Sequence, residues 1–147
     1  LDASAIYEVA PFAFLGLRNL EDLRMGNNAI SILRSSTFAG LGRLQALDLS
    51  YNRIESIEPG AFVGLRHLTI LLLHTNDLTA LQANTFLGLE NLKELHLQFN
   101  YLLNIETIET GAFAGLDSLE IIMFLEGGTI CGTLHATGEL PQSVSCW

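Results

Sequence analysis

The sequence has little cysteine, little positive charge and no long apolar run. Only two of its 147 residues are cysteines, Cys131 and Cys146, so a disulfide could close the C-terminal end but could not hold the whole fold together. Seven basic residues stand against 16 acidic ones, and the formal net charge of −9 opposes electrostatic binding of nucleic acid or of an anionic membrane surface. Apolar runs such as Leu71–Leu73 are too short to span a bilayer. We therefore expect no nucleic acid partner and no membrane insertion.

The motifs of common catalytic sites are also missing. There is no Gly-x-Ser-x-Gly, no His-Glu-x-x-His and no phosphate-binding loop, and the single lysine, Lys93, lies outside any glycine-rich stretch. We therefore expect neither enzymatic activity nor a cofactor. The chain starts at Leu1 without the basic and apolar segments of a signal peptide, so we expect a targeting segment to be absent or already removed.

A repeat of 24 residues runs through most of the chain. It has the form Leu-x-x-Leu-x-Leu-x-x-Asn-x-Ile/Leu, with Met25 in one leucine position. Clear copies begin at Leu20, Leu44, Leu68 and Leu92, and a degenerate copy begins at Leu119. The second half of a further repeat precedes them at Ile6, Val9, Phe14 and Leu17. We expect half a repeat followed by about five repeats.

The alternation of leucine with other residues predicts one short strand in each repeat, with the leucines turned inward. Neighbouring repeats must stack to bury that face, which gives a parallel sheet with strands about 4.8 Å apart. A helix bundle is disfavoured because a strict 24-residue recurrence is not a helical period. Asparagines at each bend are interpreted as structural, since an amide can satisfy unpaired backbone groups, and phenylalanines form a second inward column. These residues are Asn28, Asn52, Asn76 and Asn100, and Phe14, Phe38, Phe62, Phe86 and Phe113.

These motifs resemble those of the leucine-rich repeat superfamily, in its 24-residue extracellular class. The resemblance implies an α/β-type leucine-rich repeat solenoid, a right-handed superhelix with short parallel strands on a concave sheet and a mostly irregular, turn-rich convex side. We divide the chain into a solenoid over residues 1–125 and a C-terminal capping segment over residues 126–147. Similarity to variable lymphocyte receptors and Toll-like receptor ectodomains implies a secreted or cell-surface protein of innate immunity or antigen recognition.

The capping segment contains both cysteines. Cys131 and Cys146 enclose a stretch rich in Gly, Thr, Ser and Pro, at the point where the repeat ends and an open apolar edge needs cover. We expect a disulfide between them, and the alternative is a pair of reduced thiols in a cytosolic protein. Extracellular caps of this superfamily usually have four cysteines, and the chain also lacks an N-terminal cysteine cap.

The outward positions of the strands are predicted to form the binding surface. Apolar residues there, including Ile70, Ile121 and Leu125, predict an exposed apolar patch, while carboxylates outnumber Arg24 and predict an acidic surface. His74 and His96 are expected about 7–8 Å apart without a third ligand, so no metal site is predicted. The residues expected to contact a ligand are Asp22, Arg24, Asp48, Tyr51, Leu72, His74, Glu94, His96, Phe99 and Met123.

The fourth repeat contains an insertion. We assign the aliphatic position after Asn100 to Ile105, which makes Tyr101, Leu102 and Leu103 extra residues at the rim of the sheet. Apolar residues in a surface insertion are candidates for partner contact, and inward packing is the alternative.

Two functions fit these predictions. The first is a non-catalytic recognition module that binds a microbial surface component, a glycan or a protein through an acidic concave face. The second is a structural or adhesion protein that self-associates through its apolar patch or through an open N-terminal edge. The protein is accordingly expected to be a monomer or a weak homodimer.

Overall fold

The protein is a solenoid of stacked turns whose short strands form one main parallel sheet and a second, two-stranded sheet. A computed structural model describes residues 1–102, 105–124 and 127–147. The strands are β1 (Asp22–Arg24), β2 (Ile32–Leu33), β3 (Ala46–Asp48), β4 (Ser56–Ile57), β5 (Ile70–Leu72), β6 (Glu94–His96), β7 (Ile121–Met123) and β8 (Ser145–Cys146). A 3₁₀ turn spans Ile105–Thr107, and one α-helix, α1, spans Gly127–Thr137.

Six of these strands form one parallel sheet in the order β1-β3-β5-β6-β7-β8. The central leucines of β1, β3, β5 and β6 lie beside one another, as Leu47 lies beside Leu71, and Ile122 takes this position in β7. On the other side of each turn, β2 and β4 form a second parallel pair. The predicted leucine-rich repeat solenoid is confirmed, and among the described residues its helical content is confined to the 3₁₀ turn and to α1.

The phenylalanine column fills the side of the coil opposite the main sheet. Successive rings from Phe14 to Phe113 stack with centroids 5.8 to 6.1 Å apart and nearly parallel planes. Phe38, Phe62 and Phe86 are fully buried. Each turn therefore packs its ring on the ring of the turn before it, and these contacts add to the burial of apolar area.

The asparagines tie successive turns together by hydrogen bonds. Asn76 Nδ2 donates to the carbonyl oxygens of Leu73, in its own turn, and Leu49, in the preceding turn, both at 3.0 Å. Its Oδ1 accepts from the Ile54 N–H at 3.0 Å. Asn52 and Asn100 repeat this pattern. The structural interpretation of these residues is supported, because each amide satisfies backbone groups inside a tight bend.

The residue before each of these asparagines has a left-handed backbone. Asn27, Tyr51, Thr75 and Phe99 have φ between 53° and 58°. This conformation is costly for aromatic and β-branched residues. It recurs at the same place in the first four repeats because the chain must bend there to bring the asparagine inside and the preceding side chain outside.

The structure corrects the position of the insertion in the fourth repeat. Leu102 was predicted as an inserted rim residue and a candidate partner contact, but it is only 6% exposed and belongs to the core. It takes the aliphatic position that Leu78 holds one turn earlier, and the Tyr101 N–H donates to the Leu78 carbonyl oxygen at 2.9 Å. The assignment of that position to Ile105 is therefore wrong. The extra length enters after Leu102, because Leu81 pairs with Ile108.

The C-terminal segment adds a strand to the end of the sheet. β8 pairs with β7, and the Trp147 carbonyl oxygen accepts from the Phe124 N–H at 2.8 Å. A disulfide joins Cys131 in α1 to Cys146 in β8, with Cα atoms 6.2 Å apart. The sequence-based expectation of oxidised cysteines, rather than two reduced thiols, therefore agrees with the structure.

Candidate recognition surface

The outward side chains of the main sheet lie on adjacent strands, at the same height. Register pairs Arg24 with Asp48, Asp48 with Leu72, Leu72 with His96, and His96 with Met123. The adjacent row contains Asp22, Ala46, Ile70, Glu94 and Ile121. The alternation that buries the leucines thus brings these positions onto one surface, which we call the concave surface.

The N-terminal part of the concave surface is a shallow hollow lined by both charged and apolar residues. Its volume is about 310 Å³, and it is lined by Asp2, Asp22, Arg24, Ala46, Leu47, Asp48, Ile70 and Leu72. Arg24 donates to both carboxylate oxygens of Asp22, at 3.1 and 3.4 Å. This hydrogen bonding, with the charge of Asp22, raises the pKa of the exposed Arg24. Asp48 is held by Ser50, whose N–H and hydroxyl donate to the same Asp48 oxygen at 2.9 and 2.6 Å.

Asp2 lines this hollow although it was not predicted as a binding residue. Asp2 comes before the first strand, but it lies one period before Gly26 and therefore in an outward position. A side chain at Gly26 would meet the Asp2 carboxylate at 3.3 Å and the Ser50 carbonyl at 3.3 Å. The glycine thus leaves the space in which Asp2 lies over the sheet, and counting the period backwards would have identified it.

The apolar residues of the concave surface do not form one continuous patch. Ile70 and Leu72 on β5 are separated from Ile121 and Met123 on β7 by β6, which presents Glu94 and His96. All four apolar side chains are half-buried. The prediction of a contiguous patch is therefore wrong, because the register inserts a polar strand between two apolar ones. Leu125, also predicted here, lies outside the described residues.

The polar strand β6 carries a carboxylate and an imidazole that face each other. His96 Nε2 and Glu94 Oε2 are 3.5 Å apart, and the His96 side chain is the more buried of the two. His74 lies toward the rim, with its Nδ1 3.2 Å from the Thr75 hydroxyl oxygen. Burial lowers the pKa of His74, an effect that the charge of Asp48 opposes and that of His96 reinforces.

Aromatic rings stand at the rim of the concave surface. Tyr51 is 53% exposed and Phe99 is 59% exposed, and both occupy the left-handed position described above. The Tyr51 ring meets the His74 imidazole edge to face, with centroids 5.4 Å apart. Tyr101 is also exposed at this end of the fourth turn. Leu103, the third predicted rim residue, lies outside the described residues.

A group of metal-binding residue types occurs in the C-terminal segment and was not predicted. Ligand atoms of Cys131, His135 and Cys146 lie within 4.8 Å of one another. Both sulfur atoms are consumed by the disulfide, so the thiolates that a soft metal needs are not present in this form. We therefore regard this group as part of the cap.

The repeat can now be compared with known proteins. A family model described as leucine rich repeat matches residues 1–54, 32–78, 43–102 and 66–123. The chain belongs to the leucine-rich repeat family. This leucine-rich repeat chain is 47% identical over 57 residues to leucine-rich repeat-containing protein 3B of Danio rerio, a match that covers 38% of the chain and 22% of that protein.

Solved structures support the same assignment. The crystal structure of a TLR13–ssRNA13 complex matches with 38% identity and a TM-score of 0.75, over 84% of this chain and 18% of that chain. The leucine-rich repeat chain thus spans less than a quarter of the length of either relative. It is a leucine-rich repeat protein similar to Toll-like receptor ectodomains, and such solenoids are typically non-enzymatic. None of the helices in the described ranges is long and apolar enough to cross a membrane.

Proposed function

We propose that this chain is a secreted or cell-surface recognition module that binds a ligand without catalysis through the concave surface. The observation that carries the proposal is the hollow between β1 and β5. Carboxylates lie there beside apolar side chains that point outward and are not required for packing of the core. Interior positions repeat the same residue types in every turn, whereas the outward positions change from strand to strand. A constant interior leaves the outward residues free to be selected for binding.

The charges of the concave surface favour a cationic or hydroxyl-rich ligand. Asp2, Asp22, Asp48 and Glu94 face it, and only Arg24, which is paired with Asp22, opposes them among the described outward residues. Carboxylates accept hydroxyl and ammonium protons, while Tyr51 and Phe99 offer ring faces to apolar sides of a sugar. A microbial surface component or glycan fits this chemistry, and RNA, the ligand in the TLR13 complex, fits this face poorly.

The test uses variants that remove negative charge from the concave surface while keeping the shape of each side chain. The double variant Asp48→Asn with Glu94→Gln should lose binding to whole bacteria or purified glycans, screened as a panel at two salt concentrations. Its melting temperature should stay unchanged. Asp117→Asn with Glu55→Gln removes the same charge from exposed positions elsewhere and should bind as the parent does. Equal binding by the two double variants would contradict the proposal.

Self-association is a second candidate function. Tyr7, Phe12, Leu15 and Leu17, in the first turn, each have half or more of their side-chain surface exposed. An apolar surface of this kind commonly marks an interface. Light scattering over a range of protein concentrations tests this function. If the protein assembles, the mass of the parent should rise with concentration, and the Leu15→Gln variant should have a lower mass than the parent. A constant monomer mass would exclude self-association as the function.

A further inference from the structure

The flank of the solenoid that precedes the main strands carries a surface whose charge is opposite to that of the concave surface. A groove of about 430 Å³ there is lined by Arg18, Gly40, Gly42, Arg43, Gly64, Arg66 and His67. It contains three of the seven basic residues of a chain whose net charge is −9. The groove has no carboxylate in its lining. We call it the basic groove.

The repeat explains how these residues come together. Arg18, Gly42 and Arg66 hold equivalent positions, the first after the leucine that ends each turn, in three successive turns. Gly42 leaves open space in the middle turn, since a side chain there would meet nothing within 4 Å. The two arginines thus flank a gap, and Arg43 and His67 occupy the next position along the chain on the same flank.

The His67 ring is fixed at this gap. Its Nδ1 lies 2.6 Å from the Gly42 carbonyl oxygen, so Nδ1 carries the proton and donates it. Of the four other basic residues, only Arg53 resembles the groove arginines in forming no ion pair with a residue that the structure describes. Arg24, Arg34 and Lys93 form ion pairs with carboxylates, but no ion pair is formed by Arg18, Arg43 or Arg66 with any residue of the described ranges. Three unpaired guanidinium groups are therefore available to an anion.

We propose that the basic groove binds a sulfated glycan chain. Guanidinium groups donate paired hydrogen bonds that match the oxygens of sulfate or phosphate esters. The groove is open and crosses three turns, so it suits a chain with repeated anionic groups. No aromatic ring lines it, whereas single-stranded nucleic acid is normally bound by stacking of its bases on such rings. The sulfated glycan is thus favoured over RNA at this surface.

The acidic remainder of the protein limits this interaction without preventing it. At physiological ionic strength charges are screened over about 8 Å, so the carboxylates of distant turns act weakly on a ligand in the groove. Two carboxylates are exceptions. Glu90 holds the position of Arg66 in the next turn, and Glu21 borders a neighbouring depression together with Arg43 and His67. Both carboxylates should oppose an anionic ligand.

Calorimetric titration with a fully sulfated heparin octasaccharide, at low and at physiological salt, tests the proposal. Binding should weaken as salt rises. Arg43→Glu and Arg66→Glu should each lower affinity at least about tenfold, because each removes a charged hydrogen-bonding group and adds a carboxylate that repels sulfate. Glu21→Gln should instead strengthen binding. Arg53→Glu is the matched control, because Arg53 is exposed but lies outside the groove, and it should change affinity less than about twofold.

The proposal is wrong if the desulfated octasaccharide binds equally well, or if Arg53→Glu weakens binding as much as Arg43→Glu does. Tighter binding of a single-stranded RNA oligonucleotide than of the octasaccharide, lost in the same groove variants, would replace the glycan by nucleic acid. The concave variant with Asp48→Asn and Glu94→Gln should keep full affinity for the octasaccharide. Failure of one binding surface is therefore distinguishable from failure of the other.

Discussion

The interior of the solenoid and its concave surface follow opposite rules, although they alternate along the same strands. Inside, the same leucine, asparagine and phenylalanine positions recur, and their side chains contact equivalents in the neighbouring turns. Outside, adjacent strands carry a carboxylate, a leucine and an imidazole at the same height, at Asp48, Leu72 and His96. Stability is thus concentrated in contacts between turns, while recognition chemistry is spread over positions that stability leaves free.

The largest expected effect is that of removing one ring from the interior column. Phe62 is fully buried between Phe38 and Phe86, so Phe62→Ala should lower the free energy of unfolding by about 3–5 kcal/mol, measured by urea denaturation. Phe99→Ala removes the same kind of ring from the exposed rim and should change the free energy of unfolding by about 0.5 kcal/mol or less. Similar losses in the two variants would remove the contrast between interior and surface.

Much of this interior could be predicted from the sequence, since stacking requires the same residue types once per turn. The strand positions, the asparagines that join successive turns and the phenylalanine column all follow from that periodicity. The insertion could not be placed in the same way, because Leu102 and Ile105 are both apolar and only packing decides which one fills the interior position. Leu102 does so.

The binding surfaces were less predictable than the interior. Outward residues were identified by alternation, but which of them are neighbours depends on register, and β6 divides the predicted apolar patch. The basic groove was missed because its arginines do not share one repeat position: Arg43 is displaced by one residue from Arg18 and Arg66. Proximity across turns brings them together, and no linear motif records it.

An intermediate loss of stability is expected when one of the asparagines that join successive turns is replaced. Asn76→Ala leaves the Ile54 N–H and the carbonyl oxygens of Leu49 and Leu73 without their partner inside the bend. A buried group left unsatisfied costs about 1–3 kcal/mol, and the loss should be measurable by urea denaturation. Asn91→Ala, which removes a single exposed hydrogen bond to Arg66, is the matched control and should cost less. If Asn76→Ala were as stable as the control, the structural role of these asparagines would be contradicted.

The smallest effect should come from a titrating group on the concave surface itself. Burial lowers the pKa of His74 in the folded protein, so the unfolded chain binds more protons as the pH falls through about 6.5. The contribution of neutral His74 to the free energy of unfolding is therefore complete above that pH and is lost as the pH falls below it. The melting temperature of the parent should therefore fall more than that of His74→Gln between about pH 7.5 and pH 5.5, before most carboxylates titrate. The difference should be small because His74 is only half-buried, and equal falls in both proteins would show that folding does not lower the pKa of His74.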